Sequence, residues 1–411
     1  MQHKDKFATL AVPERSLLLN TLYDLCRTMR RVTGAYSSKV IQFNLNRCLL
    51  SGIFMLACLS TAHAQDIWDP SQEYDTGYNP SVAISGTTVV EVHNGQNNYG
   101  PMWYHVGRQN PSTGAVTWGP SYNYDNGYNP TVAISGTTVV EVHNGQLGYG
   151  PMWYHVGQVN GSTITWGPRY GFGSGYNPTI ALAPYQGTIV NRDCLLAIEA
   201  HNSSSSTTAN MYYKVGPVGG VSECEGGPRT NPDVIHFGPS TYYDWGWNPS
   251  VAAAPCQTSD GGTCGVTILE VHNGHSQAGA MWYHVGTWTD GSTIAWGASN
   301  NYDSGYNPRV AFANVGTCGG GAPTYLVVEV HNGSGSAGDM WSHIGFWNGG
   351  TTIYLNPAAE YDSGWNPTAA VVSSGFTVVY PVEVHDGSED IFGTAPIPLW
   401  YHVGAYGWCI P

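Results

Sequence analysis

Charged side chains are scarce. Asp, Glu, Lys and Arg make up 10% of the 411 residues, against about 25% in an ordinary soluble domain. Basic residues are rarer still: from residue 65 onward there is one lysine, Lys214, and there are five arginines, Arg108, Arg169, Arg192, Arg229 and Arg309. A body this acidic repels phosphate backbones and anionic bilayers, so nucleic acid is excluded as a partner. Sustained helical periodicity is absent, which excludes coiled coils and helical repeats. No apolar run after residue 64 is long enough to cross a membrane. Neither G-x-S-x-G nor H-E-x-x-H occurs, and no C-x-x-C pair suggests a thiolate metal site. Gly (53) and Pro (25) are plentiful, but stay below the ~25–30% that marks disorder. With 42% hydrophobic and 12% aromatic residues the chain has ample material for a core.

The basic residues that do exist gather at the start. Residues 1–64 hold 8 of the 14 Lys and Arg. The apolar run 48–59 follows Arg47, and Ala62-His63-Ala64 supplies a small-x-small site before Gln65. This is the basic, apolar and cleavage layout of a secretory signal. Residues 1–64 are therefore expected to be a leader, cut after Ala64 and begun at Met1 or Met29. Residues 65–411 are expected to be one exported domain, secreted or periplasmic, in which cysteines oxidise.

That domain repeats. Gly-Tyr/Trp-Asn-Pro occurs at 77–80, 127–130, 175–178, 246–249, 305–308 and 364–367. Each copy is followed by a Glu-x-His pair, the first being Glu91/His93, and then by Met-Trp-Tyr-His-Val-Gly or a variant. Each unit reads as four short strands joined by Gly, Asn, Pro and Ser turns, in the first unit 81–84, 88–93, 103–106 and 116–118. Four-strand units of this size, repeated without helices, specify an all-β, six-bladed β-propeller with four antiparallel strands per blade. A fourth-strand hydrophobe precedes five of the anchor glycines by nine residues, and Trp68 stands nine before Gly77. The last unit runs out after its third strand, so the N-terminal Ile67-Trp68 is expected to close the last blade and remove an open edge.

Alternating strand direction gives the units two unlike faces. Insertions fall on one, together with Cys194, Cys224, Cys256, Cys264, Cys318 and Cys409. Disulfides Cys194–Cys224 and Cys256–Cys264 are expected, leaving Cys318–Cys409 by elimination. The other face is repetitive and carries the candidate ligand-binding residues: Asp75, Tyr78, Asn79, His93, Asn94, Tyr99 and Trp103 in the first unit, and Asp125, Tyr128, Asn129, His143, Asn144, Tyr149 and Trp153 in the second. A sugar offers an apolar C–H face and a rim of hydroxyls, which an aromatic plate with a few fixed polar groups matches.

Two constellations have competing readings. Glu91, His93 and His105 share one side of the sheet, as an acid/base or metal set would; a buried carboxylate bonded to imidazole explains them equally. In the third unit Lys214 replaces the third-strand His, and a protonated lysine cannot ligate metal, so no metal and no cofactor are expected. Asp-x-Gly-Tyr-Asn-Pro reads as a blade-to-blade turn as well as a site. Residues 112–118 and 290–296 loosely resemble the Asp-box hairpin of sialidases, but the five arginines have no repeat-related arrangement for the expected arginine cluster. No catalytic residue is assigned.

From Ile67 to Trp408 the blade repeat and the aromatic, Asn-rich loops resemble the secreted bacterial β-propeller lectins of the tectonin-like and fucose-binding types. The resemblance implies repeated sugar sites around a ring, and hence glycans or glycoconjugates as partners. A structural or protein-binding propeller and a sialidase-like hydrolase are the alternatives.

Overall fold

A computed structural model describes residues 67–407 apart from 97–98, 187–192, 205–208, 220–231, 258–262, 275–278, 317–323, 335–337, 373–377 and 388–396. The leader at 1–64 lies outside the described residues. So do Cys224, Cys318 and Cys409. Cys194 and Cys256 are each disulfide-bonded.

Every regular element among the described residues is a strand. No helix there is long and apolar enough to cross a membrane. Each repeat makes an antiparallel meander. In the first, Gln72–Ser85 pairs with Thr88–Asn94, which pairs with Gly100–Gln109. Gly100–Gln109 then pairs with Val116–Trp118 and with the start of Tyr122–Ser135. Thr88–Asn94 is buried at every position, because its β-branched residues pack on neighbouring units from both sides of the sheet. Val90, Val92, Tyr104 and Val106 of the first unit, for example, meet Val132, Ile134 and Val139 of the second.

The expected fourth strand is present as Val116–Trp118, and after a break a further stretch adds to the same edge. Asp-x-Gly-Tyr-Asn-Pro at 125–130 lies within that stretch and is not a free loop. Tyr122–Ser135 is one strand whose first half edges unit one and whose second half begins unit two. Gln72–Ser85 serves units six and one in the same way. The chain turns at the asparagine of the motif: Asn79, Asn129, Asn177, Asn248, Asn307 and Asn366 all have φ between 47° and 51°. Asparagine is among the few non-glycine residues that enter this left-handed region at low cost. The preceding glycine is required by crowding, since a Cβ on Gly77 would lie 2.5 Å from the His93 ring and 2.7 Å from the Asn94 carbonyl.

A second asparagine locks each crossing. Asn94 is fully buried; its Nδ2 donates to the Gly127 carbonyl (3.1 Å) and its Oδ1 accepts from the Asn129 amide (3.0 Å). Asn144, Asn202, Asn273 and Asn332 repeat both bonds on the following units. The motif asparagines then bond to each other, from Asn129 through Asn177, Asn248, Asn307 and Asn366 to Asn79. They rim a cavity of about 180 Å³ that Tyr128, Tyr176, Trp247 and Arg309 also line.

The N-terminal segment lies on the last unit. Gln72–Gly77 pairs with Ile397–Tyr401, Trp68 bridges Gly404, and Trp68 Nε1 donates to Ser342 Oγ (3.1 Å). Ile67 and Trp68 are buried among Leu326, Val328, Ile344 and Val379. Deleting residues 65–70 removes a buried tryptophan, a loss of about 3–5 kcal/mol. We expect calorimetry to show the melting temperature falling by about 10 °C; an unchanged value would contradict this closure.

At this seam the locking residue is Asp386 instead of asparagine. Its Oδ2 accepts from the Asn79 amide (3.3 Å) and from Asn366 Nδ2 (2.9 Å), but its buried Oδ1 has no partner. Burial pushes this carboxyl from 3.8 up to about 7. The folded state therefore holds a proton that the unfolded chain releases near pH 4. Stability is full below that pH and is lost as pH rises towards 7, by at most about 4 kcal/mol at 1.36 kcal/mol per unit. Asp386→Asn supplies the missing donor without a charge. It is expected to raise the urea midpoint at pH 7.5 and to change it little at pH 4; equal effects at both would contradict the assignment.

Candidate functional site

The repeated face separates into a buried layer and an exposed one. In the buried layer, Glu91 of unit one points back towards unit six. His93 Nδ1 lies 3.1 Å from both Glu91 carboxylate oxygens. His105 comes from the next strand, with Nδ1 2.9 Å from the Gly119 carbonyl and Nε2 2.6 Å from Asp75 Oδ2. Asp75 and Tyr74 sit on the edge strand of unit six. Burial alone would raise Asp75, yet hydrogen bonds from His105 and the Thr76 amide hold its carboxyl down at about 2. Burial opposes charge on His105, but its bond to Asp75 and the nearby Glu91 raise it above the ordinary histidine value. The tyrosine hydroxyl is pushed well up, first by burial and then by Glu91. The equivalent Tyr243 and Tyr302 each donate to their glutamates, Glu270 and Glu329, at 3.0 Å.

Each set therefore clasps two units. Tyr and Asp come from the edge of one, and Glu and two His from the interior of the next. Asp125/His155, Asp244/His284, Asp303/His343 and Asp362/His402 repeat the contact at 2.7–3.0 Å. The tyrosines were not singled out from sequence, though the signal is there: Tyr precedes Asp in the motif in five units, and the third reads Phe172-Gly173.

This burial redraws the ligand-facing set. His93, Asn94, His143 and Asn144 are buried and committed to the clasps and crossings, so they present nothing to a surface ligand. Tyr78 is buried too. Asp75, Asn79, Asp125, Tyr128 and Asn129 are half-buried. Tyr128 and both asparagines line the central cavity, and the two aspartates lie in the clasps. Tyr99, Trp103, Tyr149 and Trp153 form the exposed layer, with Tyr99 44% and Tyr149 50% accessible. Gln96 and Gln146 donate to the Tyr99 and Tyr149 carbonyls and so shape these loops from within.

The indoles recur. Trp103, Trp153, Trp282, Trp341 and Trp400 are each half-buried. Each lies against a glycine that opens the loop before it; a Cβ on Gly95, Gly145, Gly274, Gly333 or Gly387 would come within 2.4–3.1 Å of the indole Nε1. Opposite each ring on the edge strand stands Asn123, Gly171, Asn301, Glu360 or Glu73. Where Gly171 leaves space, the Arg169 guanidinium covers the Trp153 ring at 4.7 Å and also bonds Asp125. The third unit departs, with Ser203 and Tyr212 in place of the Gly and Trp.

No family model matches the chain, and no curated protein matches it. Solved structures to which it is similar include an Aleuria aurantia lectin mutant complexed with Fucα1-6GlcNAc, 11% identical over 83% of this chain and 99% of that one, TM-score 0.49. A Trypanosoma rangeli sialidase mutant is 10% identical over 83% of this chain and 60% of that one, TM-score 0.49. A Penicillium chrysogenum α-L-arabinanase is 13% identical over 82% and 96%, TM-score 0.43. At these scores the likeness carries nothing about ligand or chemistry.

The clasp is testable on its own. Tyr302→Phe removes a donor from the buried Glu329. It is expected to lower stability by about 1–3 kcal/mol in urea melts while the exposed indoles keep their fluorescence. No loss would mean the hydroxyl does not support the carboxylate.

Proposed function

We propose that this chain is a multivalent carbohydrate-binding protein. Its six units are the blades of a six-bladed β-propeller, closed where residues 67–77 lie on the last unit. The observation that carries the proposal is the set of half-buried indoles Trp103, Trp282, Trp341 and Trp400, each beside a glycine and flanked on the neighbouring strand, with Trp153 set apart because Arg169 covers its ring. An indole held flat and partly wet is the plate on which the C–H face of a sugar stacks. Asn123 and Asn301 are exposed beside their rings; Nδ2 of each donates to a backbone carbonyl, Met102 or Met281, at 3.0 Å, and Oδ1 of each is the group offered to hydroxyls. The sites in units one and two add Tyr99 and Tyr149. Each plate alone binds weakly, and several on one ring give useful avidity.

The chemistry of the ligand follows from charge. Glu73 and Glu360 stand opposite two of the plates, and the domain is strongly acidic. Neutral glycans are therefore favoured over sialylated ones. Glycoside hydrolysis normally needs two carboxylates facing the bond to be cut. The described lining of the central cavity has asparagines, aromatics, Arg309 and no carboxylate, which favours binding over hydrolysis there. The basic and apolar segments of residues 1–64 support export, and a sugar-binding surface is useful outside the cell.

A glycan array and haemagglutination assay test the reading. The wild-type chain is expected to bind neutral glycans and to agglutinate. Trp103→Ala with Trp282→Ala is expected to weaken array binding at least about tenfold through lost avidity, with an unchanged melting curve. A folded double variant that binds and agglutinates like wild type would remove the indoles from the site. A wild-type chain with no glycan signal would overturn the proposal in favour of a protein-binding propeller.

A further inference from the structure

We propose that five of the six junctions between units are sites for a divalent metal ion of the zinc class, held by two histidines of one unit and an aspartate of its neighbour. At the first junction the ligands are His93 Nε2, His105 Nε2 and Asp75 Oδ2. The proposal departs from the sequence reading, which expected no metal, and does not depend on the sugar-binding proposal.

The hydrogen-bond partners decide the tautomers. His93 Nδ1 faces the Glu91 carboxylate and His105 Nδ1 faces the Gly119 carbonyl. Both are acceptors only, so each Nδ1 carries the hydrogen, and an imidazole left neutral keeps a lone pair on Nε2. Both lone pairs converge on an oxygen that is itself an acceptor. Asp75 Oδ2 lies 2.6 Å from His105 Nε2 and 3.8 Å from His93 Nε2. Three acceptors cannot share one spot unless a proton or a metal ion sits among them. A proton on the nearer imidazole satisfies the short contact but leaves the second nitrogen with nothing. In unit two that second atom, His143 Nε2, is fully buried and has no partner. A metal ion uses both nitrogens and the carboxylate together.

The surroundings match what metal sites require. A ligating histidine gives its other N–H to a carboxylate or a backbone carbonyl, and the two histidines here do one each. In the Asp75, Asp244 and Asp362 sets, one ligand atom from each residue lies within 4.8 Å of the others. The Asp125 and Asp303 sets have the same pair of nitrogen–oxygen distances. Zinc bonds of about 2.0–2.2 Å put tetrahedral ligand atoms roughly 3–4 Å apart, which these sets reach with small side-chain shifts. The aspartate side chains are 16–31% exposed, so an ion has a way in and a water can take the fourth position.

The exceptional unit supports the assignment. At the third junction Gly173 replaces the aspartate and Lys214 replaces the third-strand histidine, while His201 keeps its bond to Glu199. A position Cβ on Gly173 would occupy lies 3.6 Å from Lys214 Cε, so the lysine reaches the place of the missing carboxylate. Two ligands are lost together, and a lysine side chain stands where the other junctions have a histidine.

The test uses the untagged chain, stripped with EDTA, reloaded with Zn²⁺ and passed through a gel-filtration column. Plasma mass spectrometry is expected to find about five Zn²⁺ per chain, and Co²⁺ loading to give the intense visible absorption of a four-coordinate ion with N and O ligands. Zn²⁺ is expected to raise the melting temperature. His284→Gln should remove about one ion and a fifth of the Co²⁺ absorption, and Asp244→Asn serves if that variant does not fold. Fewer than one Zn²⁺ retained by the wild type would overturn the proposal and leave the junctions as protonated His–Asp pairs. A variant that keeps the full wild-type stoichiometry would also overturn it, because the ions would then sit elsewhere.

Discussion

Everything in this domain depends on how one unit hands its chain to the next. The handover is made by a pair of asparagines. One takes the left-handed turn; the other, buried in the preceding unit, grips the turn through a glycine carbonyl and an amide. A buried amide side chain has to satisfy both its donor and its acceptor, and this one does so on two adjacent groups of a single bend. That fixes the direction in which the strand leaves. In Gln72–Ser85, Tyr122–Ser135 and Tyr170–Gln186 the strand is continuous through the bend, so the edge of one unit and the interior of the next cannot shift independently. The polar clasps and the valine layers then fill positions the bend has already set.

Much of this could be read from the sequence. The six Gly-Tyr/Trp-Asn-Pro anchors and the β-branched segments after them define the strands, and Trp68 standing nine before Gly77 points to the pairing found with the last unit. The extent of the fourth strand could not be read, because its continuation through Asp-x-Gly has the composition of a turn. Glycine there answers the close approach of a histidine ring, a contact between segments that no local rule encodes. The Asn/Asp exchange at Asp386 is visible in the sequence, but its consequence requires knowing that the position is dry.

The depth at which each polar residue of the repeated face lies was not legible in the sequence. Reading Asp, His, Asn and Trp as one surface array treated all polar side chains of the face as equally exposed. Strand alternation places His93 and Trp103 on the same side, yet the histidine is buried against the edge of the preceding unit and the indole is only half-buried. The difference is which neighbouring unit covers each residue, which single-unit reasoning cannot supply. The third unit was the informative outlier in both layers: Phe172, Gly173, Ser203, Tyr212 and Lys214 depart together.

The contact between Trp68 and Gly404 joins residues at opposite ends of the domain. A chain made from its N-terminus therefore has its first edge strand waiting, unpaired, until the last unit exists. Loop closure over such a separation is slow, and an open strand edge in the interval is a template for mispairing. The segment that waits is Gln72-Glu73-Tyr74-Asp75-Thr76, with Glu73 and Thr76 facing water and a second carboxylate at Asp75. Two negative charges on a five-residue edge discourage a second copy from pairing with it. The same aspartate later meets His105 of its own chain at 2.6 Å, so the charge that protects the waiting edge becomes part of the joint between the first and last units.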